Sequence, residues 1–155
     1  MITARKTAKG LYKGFTLIEL LVVIGILAIL LAITLIAINP ARQFQQANNT
    51  KRSADVNAIL NAIHQYSADN RGALPPGITT SLLTVADTGA NICNSVVPTY
   101  IAALPSDPTT STSGNVTNCG AAYNTRYTVI QSATNNRVTV SAPDAELQAT
   151  ISVTR

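Results

Sequence analysis

The chain has 155 residues, with 11 Lys and Arg against 7 Asp and Glu, 12% charged and 46% hydrophobic residues. Low charge with that apolar content excludes a chain kept disordered by charge, and the length excludes a large multidomain enzyme. The net charge of +4 is local: Arg5, Lys6, Lys9 and Lys13 supply four of the cations, and from Phe15 onward seven cations face seven anions. Bulk basicity therefore gives no indication of a nucleic-acid partner.

Phe15 to Ile38 is apolar except for Thr16, Glu19, Gly25 and Thr34. As a helix this run would be about 36 Å long, enough for a hydrocarbon core of about 30 Å. A cleaved secretory signal has a shorter apolar run of about 7–15 residues, and no small-x-small site precedes Asn39-Pro40. A plain anchor fits the flanks, since cations before the span predict the leader inside and the C-terminal part outside. It does not explain Glu19, because a carboxylate within a membrane helix costs about 2.5–3.5 kcal/mol on insertion scales and calls for a partner. No cation of the chain lies beside it. An amine created on another copy by cutting just before Phe15 would supply one.

The segment from Lys13-Gly14-Phe15-Thr16-Leu17-Ile18-Glu19 to Ala28 resembles the class III signal and N-terminal helix of type IV pilins and type II secretion pseudopilins. The resemblance implies cleavage after Gly14 by a prepilin peptidase, N-methylation of Phe15, and pairing of Glu19 with a neighbouring subunit's N-terminal amine. It also implies a helical homopolymer as the working form, with an inner-membrane assembly platform and minor pilins or pseudopilins as partners. The expected location is a single-pass cytoplasmic membrane protein and then an extracellular or periplasmic filament. Proline near mature position 22 is common in the family. Here that position is Ile36, and Pro40 follows four residues later, where Asn39-Pro40 is expected either to bend or interrupt the helix or to mark the membrane exit.

Beyond Pro40, Val56, Ala58, Ile59, Ala62, Ile63 and Tyr66 recur at helical spacing. The helix is expected to continue through Pro40 to Asn70, with Gly72 as its left-handed C′ residue and Pro75-Pro76 preventing continuation. Near the C-terminus three sets alternate with period two: Tyr123 to Val129, Val138 to Ser141, and Leu147 to Val153. Asn135-Asn136 and Pro143-Asp144 mark the turns. The expected fold is α+β, a long N-terminal helix packed on a small antiparallel sheet of three strands. The expected organisation is a leader (1–14), a membrane or filament-core helix (15–38), an amphipathic helix half (39–72), a loop region (73–122) and a sheet (123–155).

The loop region contains Leu104-Pro105-Ser106-Asp107-Pro108, which resembles a Leu-Pro-x-Asp-Pro segment of major pseudopilins and is equally a Pro- and Asp-rich turn. Asp107 with Asn115 or Asn118 is a sparse calcium candidate. Cys93 and Cys119 are the candidate disulfide if this part lies outside the cytoplasm, with two free thiols as the alternative. They make a poor zinc set without a nearby histidine. His64 is isolated on the helix, and neither a catalytic constellation nor a phosphate loop accompanies it. No enzyme activity, cofactor or metal is expected. Asn48-Asn49-Thr50 and Asn115-Val116-Thr117 match the glycosylation acceptor pattern, which is frequent by chance in such sequence. The leading function is a filament subunit. The alternatives are a pseudopilin of a secretion or DNA-uptake system and, from a different class, a monomeric membrane-anchored binding domain.

Overall fold

The computed structural model describes residues 14–110 and 114–155. The leader cations Arg5, Lys6, Lys9 and Lys13 fall outside the described residues. The chain divides into two compact units, with the boundary after Pro40.

The first unit is helix α1 (Leu17–Ile38), whose 22 residues include no buried one. It is long and apolar enough to cross a membrane. The long helix is interrupted at Asn39-Pro40, one of the outcomes expected of a proline there. Asn39 adopts a left-handed conformation (φ 46°), and Pro40 opens helix α2 (Pro40–Asp69). Proline suits that position because a first-turn N–H has no helical acceptor to lose.

In the second unit α2 buries Arg52, Val56, Ile59, Leu60, Ala62 and Ile63. Residues 52, 56, 59, 60 and 63 form one stripe at spacings of three and four. Tyr66, further along, meets the Tyr100 ring edge-on at 5.8 Å. The C-terminus of α2 differs from expectation by one residue. Gly72 N–H bonds to Ser67 carbonyl at 2.8 Å, which makes Gly72 the C″ residue and puts Arg71 (φ 56°) at the left-handed C′ position.

The α+β arrangement is as expected, but the antiparallel sheet has four strands, ordered β1 (Leu83–Ala86), β2 (Asn124–Gln131), β3 (Val138–Ala142) and β4 (Ile151–Thr154). Strand β1 and the short helix α3 (Cys93–Val96) lie in the region read as loop. Consecutive Leu82 and Leu83 obscure the alternation of β1. Tyr123, Thr125, Tyr127, Val129, Val138 and Val140 all face inward, in the alternation expected of β2 and β3. On the outer face the register lines up Thr84, Thr128, Ser141 and Ser152, one hydroxyl from each strand. A second pair, Thr139 and Thr154, bonds directly at 2.7 Å.

The strand expected from Leu147 begins only at Ile151. Leu147 (φ 57°) and Gln148 (φ 56°) are both left-handed, which costs an L-residue roughly 1–2 kcal/mol apiece. The β1 edge is occupied by its own turn. Ala90 N–H donates to the Thr84 carbonyl at 2.8 Å, and a Cβ on Gly89 would stand 2.3 Å from that oxygen. Glycine is required there.

Arg71→Gly removes the left-handed penalty while adding some unfolded-state entropy, so it should stabilise the second unit by about 0.5–1 kcal/mol. A thermal melt of the Arg71→Gly chain with a higher midpoint checks this, and Arg71→Val should shift the midpoint down.

Candidate functional site

Phe15, second of the described residues after Gly14, is 84% exposed. The next residue, Thr16, is the N-cap of α1, and Glu19 stands at the third helical position. Their side chains form a capping box: Glu19 N–H donates to Thr16 Oγ1 at 3.2 Å, and Thr16 N–H donates to Glu19 Oε2 at 2.8 Å. The Thr16 hydroxyl also donates to Oε2 at 2.8 Å. Glu19 thus has an in-chain polar partner, although no cation lies beside it. The signal was the Thr-x-x-Glu spacing itself. Both bonds fall on one oxygen, and Oε1 has no partner among the described residues.

The second unit is organised around a residue the sequence reading passed over, Arg52. Its side chain is fully buried, yet it carries five hydrogen bonds. Nε and Nη2 fork onto Asp107 at 2.7 and 3.1 Å. Nη1 donates to Glu146 Oε2 at 2.8 Å and to Asn49 Oδ1 at 3.0 Å, and Nη2 reaches Thr109 at 3.3 Å. Only arginine offers this planar fork of donors. Asn48 adds a 2.9 Å bond to Glu146, and the Asn49 amide both donates to the Glu146 carbonyl and accepts from its N–H. That grip on residue 146 is why the expected strand gives way to a strained turn. Burial alone would raise the Asp107 carboxyl, but Arg52 and the Thr109 donors outweigh it and hold it below the usual range. Glu146 is held low by Asn48 first and Arg52 second. The Arg52 guanidinium is pushed up, chiefly by its bonds to Asp107.

Asp107 therefore does not stand open as a calcium ligand. Oδ1 and Oδ2 are committed to Arg52, and Oδ1 accepts in addition from Thr109 N–H and Oγ1 at 2.9 and 2.6 Å. Among the described residues no cluster of three or more His, Cys, Asp or Glu is placed to hold a metal ion. Of the acceptor tripeptides, Asn48 lies within α2 with its amide bonded to Glu146, whereas Asn115 is exposed. His64 is half-buried, with Nε2 unpartnered in a cleft of about 350 Å³ beside Ser67, Gln131 and Asn136. Cys93 and Cys119 are joined as a disulfide with Cα atoms 5.4 Å apart, tying α3 to the segment before β2.

Residues 11–35 match the family model described as the prokaryotic N-terminal methylation motif. The chain carries that motif. It is also 38% identical over 85 residues to the type IV wide pilus major component PilA4 of Thermus thermophilus, an alignment covering 55% of this chain and 63% of the relative. The matched part thus spans just under two thirds of the relative's length. No solved structure matches significantly. The motif and the relative together support a type IV pilin family member.

Removing Arg52 leaves a buried carboxylate uncompensated, so Arg52→Ala should destabilise the second unit by about 3–5 kcal/mol in denaturant titration. The depressed carboxyls of Asp107 and Glu146 contribute stability that is present above their unfolded values, about 3.9 and 4.3, and is lost as pH falls through the lower folded values. Melting temperature should therefore decline below about pH 4. Asp107→Asn should lower the plateau and flatten the decline.

Proposed function

We infer that the protein is a structural subunit of a type IV pilus-like filament, made as a prepilin and polymerised through α1. The observation that carries the reading is Glu19, a carboxylate inside an otherwise uncharged and wholly exposed helix, four residues after Phe15 in the matched motif. Cleavage after Gly14 would free the Phe15 amine, which N-methylation by the same prepilin peptidase would leave positively charged. In an apolar filament core neither that ammonium nor the Glu19 carboxylate tolerates burial alone, and pairing between copies removes both penalties. Oε2 stays with the Thr16 cap while Oε1 faces the incoming amine. Assembly is thereby made selective for subunits in the correct axial register, because a shifted neighbour buries two unpaired charges.

Before assembly the subunit is inserted with the leader cations on the cytoplasmic side and the second unit outside, the orientation those cations favour. The assembly platform and minor pilins act on it there, and it needs no cofactor. The relative's role as a major pilus component supports the pilus reading over the pseudopilin alternative.

Mass spectrometry of the filament fraction should show an N-terminus at Phe15 carrying one added methyl group; a retained Met1 leader would refute processing. Glu19→Ala should leave membrane levels unchanged while lowering sheared-filament yield by about tenfold or more. Undiminished yield would give the carboxylate another role.

A further inference from the structure

Beside the C-terminal end of α2 lies the cleft of about 350 Å³ to which the filament reading gives no role. Helix α2 contributes His64 and Ser67 to its wall, and the segment after the helix contributes Leu74. Gln131 of β2, Val138 of β3 and Asn136 of the turn between them complete it. Ligand pockets run from about 300 to 1,000 Å³, so this one has room for a single small ring.

The polar groups of the cleft are only partly used. Gln131 Nε2 donates to Asn136 Oδ1 at 3.2 Å, which leaves the Gln131 side-chain oxygen as an acceptor and the Asn136 NH2 group as a donor. The Ser67 carbonyl is taken by Gly72 N–H, but the Ser67 hydroxyl is able both to donate and to accept. His64 Nε2 is buried with no hydrogen-bond partner among the described residues. Buried N–H groups are orphaned more rarely than acceptors, which assigns the ring proton to Nδ1 and makes that nitrogen a donor. Leu74 and Val138 supply the apolar part of the wall.

This lining narrows the chemistry of an occupant. Among the described residues it includes no Asp, Glu, Lys or Arg, so nothing there offsets the desolvation of a charged ligand. A hydrocarbon would leave four polar side chains stranded beneath it. No aromatic side chain is among the described lining residues, so a flat nucleobase gains no stacking platform. A puckered ring with hydroxyls around its rim and C–H groups on its faces meets both demands. We propose that the cleft binds a single neutral sugar ring, whose adjacent hydroxyls bond to Gln131, Asn136, Ser67 and His64 while a C–H face rests on Leu74 and Val138. The site lies in the second unit, whereas Glu19 lies in the first, so it stands independently of the filament reading.

The test is saturation-transfer NMR on the full-length chain, held in a detergent without a sugar headgroup, with glucose, galactose, mannose and N-acetylglucosamine as probes. At least one should bind with a Kd of about 1–10 mM, the affinity expected of about a dozen non-hydrogen atoms. Gln131→Ala and Asn136→Gly should each weaken it by about five- to tenfold, the glycine suiting the left-handed backbone at 136 (φ 57°). Ser67→Tyr, which fills the cleft, should abolish it. Glucuronate and glucosamine, similar rings with a charge, should bind at least about tenfold more weakly than the neutral sugar. Melting temperature and disulfide oxidation report the folding of each variant. Folded wild type that binds none of the four sugars up to about 50 mM would overturn the proposal. So would charged sugars or adenosine binding as tightly, or sugar binding that survives all three substitutions. Methyl glycosides that bind as tightly as the free sugar identify a glycan chain end as the source, and weaker ones a free sugar; the site stands in both cases.

Discussion

A buried guanidinium sets the terms for the second unit. Arg52 has no contact with water, so its charge must be met from within the protein, and the groups that meet it come from positions 55 and 94 residues further along the chain. A buried ion pair contributes little net stability over a well-packed apolar substitute, because desolvation offsets most of the attraction. What it does impose is placement. The fork geometry admits Asp107 and Glu146 in one arrangement, which draws the 106–110 segment and the turn before β4 onto the same stretch of α2. Further polar fastenings follow along the helix: Asp55 accepts from the buried Tyr127 hydroxyl at 2.7 Å, and Asn61 accepts from Arg155 at 2.7 Å. Apolar packing holds α2 against the sheet, while these bonds decide its register.

Helix α1 is built on the opposite plan. Among the described residues nothing in its own unit buries its side chains, and its polar groups bond within the helix and its cap: Glu19 with Thr16, and the Thr34 hydroxyl with the Leu31 carbonyl at 2.9 Å. Its stability as a helix comes from backbone bonds and the cap rather than from propensity, since half of its residues are β-branched or Gly25, and its surface requires an apolar surrounding. One unit therefore carries its core inside and the other presents its core outward, with Asn39-Pro40 at the change.

The legible features were those whose signal is local. The apolar run, the Phe15-to-Glu19 spacing, the stripe on α2 and the alternation in β2 and β3 are all periodic within a few residues. The features missed were set at long range. Nothing near Arg52 in sequence reveals that a cation will be buried, since its partners are distant in the chain. The same grip converts Leu147 and Ala149 from the inward residues of a strand into exposed turn residues, against a clean period of two. Two misses were local and recoverable. Thr16-x-x-Glu19 is a capping box by spacing, and Arg71-Gly72 left the left-handed position open to either residue.

The turn that folds back on β1 limits how the sheet can associate. A strand-paired ribbon needs every sheet to offer two reactive edges, as a growing polymer needs bifunctional monomers. Here Ala90 already occupies the outward carbonyl of Thr84, and the absence of a side chain on Gly89 lets the turn approach closely enough to do so. Among the described residues the β4 edge has no strand beside it. In the language of step-growth chemistry the sheet is monofunctional: pairing through it ends at two copies. One of the two routes to uncontrolled strand pairing is thus closed by a single missing methyl group.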